Sequence, residues 1–258
     1  LAEESQPPAQ PAAEQPVVTA GSYVLLDYTL KVKETGELVD TTSEVAARDN
    51  GAFDPSKVYE SRLVVPGKGM VLRAIEDELI GLPESGSKSF EIPPEKGFGQ
   101  RDASKVRTIP LRRFRDTDAP LRVGSRVNVD GRDGIIRTIG SGRVQVDFNP
   151  YLAGKVLVCD VTVKKILTDN HEKAKAIIHN RIHEVDVSKF GLAIEGPVVR
   201  VTIPDEALLL PGLQVNKRVI ARELREAISG VEKVVYVEEY GETPTQTPKQ
   251  EEVAEAKA

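Results

Sequence analysis

Asp40 closes the extended run Leu38-Val39-Asp40. A lone carboxylate among apolar neighbours needs a partner or a task, unless it simply caps a turn. His179 and His183 are spaced i, i+4, a helical spacing that can hold a metal ion. Neither Cys159 nor His171 is placed in sequence to complete such a set, so no metal is expected. Cys159 is the only cysteine, which excludes an internal disulfide and a four-cysteine zinc site. It reads as a packed apolar side chain rather than a reactive thiol. Between residues 107 and 148 stand nine arginines and no lysine: Arg107, Arg112, Arg113, Arg115, Arg122, Arg126, Arg132, Arg137 and Arg143. Such a block attracts phosphate. Five interleaved aspartates (Asp116, Asp118, Asp130, Asp133, Asp147), with only Phe114 and Phe148 for stacking, argue against nucleic acid as a partner. Arginine stems beside valine and isoleucine fit loose capture of unfolded polypeptide better.

The chain has 258 residues, 40% hydrophobic and 29% charged, with a net charge of -5. That composition supports a core and makes a disordered chain unsuitable. No apolar run approaches the roughly 20 residues that span a bilayer, so no membrane association is expected. The arginine block carries +4 locally and the remainder -9, a shift that marks it as a separate piece. Residues 1–20 and 241–258, rich in Pro, Ala, Gln, Glu and Thr, read as disordered tails. From Tyr23 to Lys33 the chain alternates, with Val24, Leu26, Tyr28, Leu30 and Val32 on one face of a strand. Residues 44–61 carry Gly51 and Pro55 and no clean period, which predicts a long loop. Val71, Leu72, Ile75 and Leu79 share one face of a helix over 70–80, and 87–92 reads as a strand. By periodicity alone Tyr28, Val71, Leu72 and Ile75 are core residues.

Alternation returns inside the arginine block at Val127-Val129, Ile135-Ile139 and Val144-Phe148, predicting a small antiparallel sheet. A strand over 155–166 follows. Asp169 with Glu172 caps a helix whose face is Ala174, Ile177, Ile178 and Ile182. Strands near 190–195 and 198–203, a helix over 213–228 and a strand at 234–237 complete an α-β-β-α-β order.

Five stretches, in order, resemble the FKBP class of peptidyl-prolyl cis-trans isomerases. They are Asp27-Tyr28-Thr29, Gly36 through Thr42, Val65-Pro66-Gly67-Lys68-Gly69-Met70-Val71-Leu72, Ile75-Glu76, and Pro93-Pro94-Glu95-Lys96-Gly97-Phe98-Gly99. The sheet at 107–148 resembles the insert-in-flap chaperone domain of the SlyD-like branch, and the loop at 44–61 and the unit at 169–240 look like the long-chain archaeal members. The resemblance implies an α+β fold, an antiparallel sheet wrapped on a short helix, with a small all-β insertion and a C-terminal α+β domain. The isomerase domain would comprise 21–106 and 149–168, the insert 107–148, and a docking or homodimerisation domain 169–240.

It further implies catalytic roles for Tyr28, Asp40, Leu72 and Phe98, with Val39, Val71, Ile75, Tyr151, Leu152 and Cys159 binding substrate. Val71, Leu72, Ile75 and Phe98 would enclose the proline ring, the Leu72 N–H would hold a substrate carbonyl, and Asp40, oriented by Tyr28, would set the local field. No cofactor is implied, and the partners are unfolded or proline-containing polypeptide clients in a reducing cytoplasm. Where short members carry a tryptophan floor and aromatic walls, this chain has Ile75, Val39 and Cys159, which implies weaker turnover of short peptides. The same substitutions leave open an alternative, a non-enzymatic holdase with a vestigial pocket.

Overall fold

The computed structural model describes residues 16–114 and 121–240. The expected tail at 241–258, most of that at 1–20, and Arg115, Asp116 and Asp118 lie outside those residues. Val17 and Val18 are a correction to the first tail. Val18 is fully buried, its N–H donates to the Leu82 carbonyl at 2.9 Å, and its carbonyl accepts from the Gly81 N–H at 2.8 Å. Val18 brings buried apolar area that the preceding Pro/Gln run lacks, and the half-exposed Val17 adds a backbone bridge to Pro83.

The chain divides into two compact units, up to Leu167 and from Thr168 onward. The first contains β1 (Tyr23–Val32), β2 (Leu38–Thr41), α1 (Glu44–Asp49), β3 (Arg62–Val64), α2 (Arg73–Leu79), β4 (Ser87–Ile92), β5 (Val106–Pro110), β6 (Arg126–Val129), β7 (Arg132–Gly140), β8 (Arg143–Asp147) and β9 (Leu157–Leu167). Its main sheet is antiparallel, in the order β2-β1-β9-β4, with β3 on the other half of β1. The long pairing runs from Tyr23 opposite Leu167 to Val32 opposite Leu157. Strand alternation then puts Val24, Leu26, Leu30 and Val32 of β1 and Leu157, Val161 and Val163 of β9 into one core. Ala74, Ile75 and Leu79 of α2 close that core from the helix side. This is the expected α+β arrangement, a sheet packed on a short helix.

Two local expectations change. The 44–61 stretch opens with a helix, α1, whose N-cap Ser43 accepts from the Ala46 N–H at 3.2 Å. It buries only Ala47, so it leaves no apolar period in the sequence. The helix expected over 70–80 starts at Arg73, because the buried Glu76 carboxylate turns back to accept the N–H groups of Gly67 (2.9 Å) and Met70 (2.7 Å). Those bonds hold the preceding turn in a non-helical path.

Strands β5 to β8 form their own antiparallel sheet, β5-β8-β7-β6, over a small core of Phe114, Val127, Ile136, Val144 and Val146. Phe114 is therefore spent on packing and not presented for stacking. Gly134 has no room for a side chain, since a Cβ there would lie 2.5 Å from Val146. The ladder between β7 and β8 slips between Ile136 and Thr138, leaving Arg137 as the extra residue of a bulge.

The second unit contains α3 (Asn170–Arg181), β10 (Gly191–Glu195), β11 (Val198–Ile203), α4 (Asp205–Leu208), α5 (Leu213–Ala227) and β12 (Lys233–Glu238). Asp169 caps α3 by accepting from the N–H groups of His171 and Glu172, each at 2.9 Å. Its sheet runs β10-β11-β12, antiparallel then parallel. Ala174, Ile177, Ile178, Ile220 and Leu224 of the two long helices are buried with Val199, Val201 and Ile203 of β11. The expected histidine pair does not share a helix: α3 ends at Arg181 with Ile182 as its cap, and His183 lies beyond it. Helical i, i+4 geometry therefore does not apply to the pair, and among the described residues no group of three potential metal ligands is assembled. No helix among those residues is long and apolar enough to cross a membrane.

Candidate functional site

Asp40 is the penultimate residue of β2, directly across the ladder from β1, where it pairs with Leu30. Its position is fixed through the backbone. The Thr42 N–H donates to the Tyr28 carbonyl at 3.0 Å, and the Tyr28 N–H donates to the Thr42 hydroxyl at 2.9 Å. The Tyr28 hydroxyl donates to Asp40 Oδ2 at 2.5 Å and accepts from Arg62 Nη1 at 2.8 Å. Lys57 Nζ donates to Asp40 Oδ1 at 2.5 Å, as does the Thr41 N–H at 2.9 Å. Burial pushes the Asp40 carboxyl upward, but the bonds from Lys57 and Tyr28 and the charges of Lys57 and Arg62 outweigh it and hold the group below its ordinary range. Burial, with Asp40 adding to it, pushes the Tyr28 phenol well up, so it stays a neutral donor at any working pH.

Val39, Val71, Leu72, Leu82, Phe90 and Leu152 are half-buried and pack on the main core, which contains Tyr28, Ile75 and Cys159. These residues present surface. Ile75 at 1% exposure and Cys159 at 0% do not, so direct contact of Cys159 with a ligand is corrected to a packing place on the inward face of β9. Burial, then Asp160, push the Cys159 thiol up to about 12, consistent with a packing role. The Leu72 N–H, at the cap of α2, donates to nothing among the described residues.

Phe98 (40% exposed) and Tyr151 (43%) stand outside the buried cluster. The Gly154 N–H donates to the Gly99 carbonyl at 2.8 Å and so ties their two turns together. The Tyr151 hydroxyl donates to Glu37 at 2.6 Å, and Lys155 covers its ring at 3.9 Å. A groove of about 480 Å³ runs from Tyr151 and Pro150 onto the insert sheet at Arg126, Asp133, Ile135 and Phe148.

The insert is held by a clamp that sequence patterning does not show. Asp147 is 2% exposed and receives both Arg101 (2.8 Å) and the bulged Arg137 (3.0 Å) on one oxygen. The Asn149 N–H (3.0 Å) and side-chain amide (2.8 Å) bind the other. Asn149 also pairs with the Asp102 backbone at both its N–H and its carbonyl, joining the segments that enter and leave the insert. Burial alone would raise the Asp147 carboxyl, but the Asn149 bonds and the two arginines bring it down to about 2. Because the native carboxyl lies below its ordinary 3.8, this stabilisation is whole above about pH 4 and is lost as pH falls toward 2. Asp147→Ala should therefore lower unfolding free energy by roughly 2 kcal/mol at pH 7. In denaturant titrations the gap from the intact chain should close between pH 4 and 2, and a gap independent of pH would remove the clamp.

Glu76, Lys57, Arg62 and the Asp147/Asn149 pair are the polar residues that residue patterning passed over. Only Glu76 left a signal, as a charged group on the inward face of a short helix next to Ile75.

What this arrangement can do follows from the amide bond. Resonance resists rotation of an Xaa-Pro bond by roughly 18–20 kcal/mol. A surface that dehydrates the proline and offers fixed dipoles favours the twisted, less conjugated state, and it needs neither nucleophile nor metal.

Comparison with known proteins agrees with these features. Residues 107–152 match the family model described as FKBP26, IF domain, and residues 170–241 match the one described as FKBP26_C-terminal. A short-type peptidyl-prolyl cis-trans isomerase of Methanocaldococcus jannaschii is 33% identical over 150 residues, which cover 58% of this chain and 94% of that protein. An FKBP-type 16 kDa peptidyl-prolyl cis-trans isomerase of Escherichia coli is 29% identical over 154 residues, 58% of this chain and 93% of its own. The FKBP-type isomerase SlyD of Yersinia pestis is 27% identical over 157 residues, 59% and 78% respectively.

Proposed function

The chain belongs to the FKBP-type peptidyl-prolyl cis-trans isomerases, and from that membership we propose that its reaction centre is the wall between Asp40 and Leu72, fed by clients captured on the inserted sheet. One observation supports the placement: an ionised carboxylate, fixed by Tyr28 and Lys57, follows Val39 in β2, and Val39 packs half-buried on the same core as Val71, Leu72 and Leu152.

The proline ring packs on Val71 and Leu72, with Ile75 as the closed floor and Phe98 as the outer wall. The unpaired Leu72 N–H receives a client carbonyl. The Asp40 carboxylate stays ionised through the catalytic cycle and acts as a fixed field on the rotating amide, whose dipole weakens as it twists. Desolvation on the apolar wall lowers the barrier further, since the planar amide is the more strongly hydrated form.

The insert supplies reach. Its groove continues to Tyr151, so a segment bound there extends toward the wall without a new encounter with solvent. This supports a folding chaperone coupled to an isomerase rather than a holdase alone. In the second unit Leu209 is 93% exposed and Val215 lies open on α5, which fits docking or self-association. The single, buried Cys159 fits a cytoplasmic setting.

Titration with an Ala-Leu-Pro-Phe peptide, followed by backbone amide NMR, tests the placement. Val39, Val71, Leu72 and Leu152 should shift together at the lowest peptide concentrations. Shifts confined to the insert or to the second unit would overturn it.

A further inference from the structure

Among the described residues the buried carboxylates are Asp147, already assigned to the insert, and Glu76, which is only 3% exposed. Its neighbours on α2, Ala74, Ile75 and Leu79, are buried apolar residues, and an unbonded carboxylate would not be stable beside them. The Glu76 carboxylate is bonded to backbone. Oε2 accepts from the Gly67 N–H at 2.9 Å, and Oε1 accepts from the Met70 N–H at 2.7 Å and from the Val71 N–H at 3.4 Å. The Glu76 N–H donates in turn to the Leu72 carbonyl at 3.2 Å. One residue therefore holds Gly67, Met70, Val71 and Leu72.

The turn held this way is one that needs holding. Gly67 and Gly69 stand at φ +95° and +68°, in the left-handed region, and two glycines lose more freedom on ordering than any other pair. Backbone bonds from Lys68 to the Val65 carbonyl (3.0 Å) and from Gly21 to the Pro66 carbonyl (3.1 Å) tie the start of the turn. The Met70 and Val71 bonds to Glu76 tie its end, next to Leu72. Val71 and Leu72 are half-buried residues packed on the main core, so the path of the turn decides what they show to solvent.

We infer that Glu76 is a positioning residue for the isomerase reaction, which holds the 67–71 turn so that Val71 and Leu72 form a surface ready for a client proline before the client arrives. Being buried, it touches no client and acts through those two residues. The inference rests on the placement of the site at Val71 and Leu72. A turn that the client had to order would take that free energy from affinity, so the effect of Glu76 falls on binding and not on the rotation step.

The test is Glu76→Gln, which keeps the side-chain volume but turns an NH2 donor toward one group of backbone N–H donors. With the Ala-Leu-Pro-Phe peptide as substrate, KM should rise about three- to tenfold while kcat stays within about twofold. A purely structural loss would shrink the active fraction, lowering kcat and leaving KM in place, and that result overturns the inference, as does an unchanged KM. Hydrogen exchange on the intact chain decides even if the variant does not fold. The Gly67 and Met70 amides should resist exchange without peptide and gain little when it binds. Protection of those amides that appears only with bound peptide would mean that the client orders the turn, and would overturn the inference. Failure of the site itself looks different. If the Val71 and Leu72 amides of the intact chain do not respond to peptide, the placement fails, whereas a response with KM unmoved by Glu76→Gln removes only the role of Glu76.

Discussion

Excising residues 106–146 and joining Lys105 to Asp147 by a short glycine-rich turn will leave turnover of small proline peptides within about twofold, while catalysed refolding of a proline-limited protein will fall by roughly 100-fold. The junction makes the excision feasible. Val106 and Asp147 are direct partners across the β5–β8 ladder, so the cut ends are already neighbours. Asp147 and Asn149 stay, and with them the bonds to Arg101 and the Asp102 backbone. A cut after residue 148 would remove Asp147 and strip Arg101 of its partner. The asymmetry between the two assays is the signature of capture. A tetrapeptide gains nothing from a remote binding surface, whereas a tethered chain presents its prolines at an effective concentration up to millimolar. Equal losses in both assays would mean that the insert supports the pocket instead of feeding it.

Asp40→Ala will lower peptide kcat/KM by roughly tenfold or more, with most of the loss in kcat. The carboxylate is proposed to act on charge redistribution during rotation, so the planar ground state should bind almost as well without it. The substitution leaves Lys57 and Arg62 without their anion and frees the Tyr28 hydroxyl. Asp40→Asn, which keeps an acceptor for Tyr28 but lacks the charge, should fall between the two. An asparagine variant as slow as alanine would assign the whole effect to charge, and one as fast as the intact chain would assign it to the hydrogen bond.

The framework was legible because it rests on period and punctuation. The alternation of β1 and the capping Asp169 are local patterns, and each became the element expected of it, while the expected helix over 70–80 formed only from Arg73 to Leu79. Asp40 stood out as a lone carboxylate among apolar neighbours, but its partner Tyr28 was legible only through resemblance, since an alternating strand gives no hint that its tyrosine reaches a carboxylate 12 residues on. Lys57 and Arg62 were hidden for a different reason. Lys57 belongs to a segment whose order comes from the Phe53–Tyr59 stack and an Asp54 turn, contacts that carry no period, and Arg62 opens the three-residue strand β3 that follows it. The clamp at Asp147 depends on Arg101, 46 residues earlier, and on a bulge that swings Arg137 inward. Cys159 shows the opposite error. Its match to a family wall position hides that, like Ile75, it is fully buried in the core and presents no surface.

The most direct measurement is refolding of a protein limited by a trans-to-cis proline step, with catalytic amounts of the intact chain or of Asp40→Ala/Phe98→Ala. The slow phase should accelerate in proportion to the intact chain and lose at least nine-tenths of that acceleration with the double variant, which must still keep an aggregating client soluble through its unaltered insert. Undiminished acceleration by the double variant would contradict a reaction centre between Asp40 and Leu72.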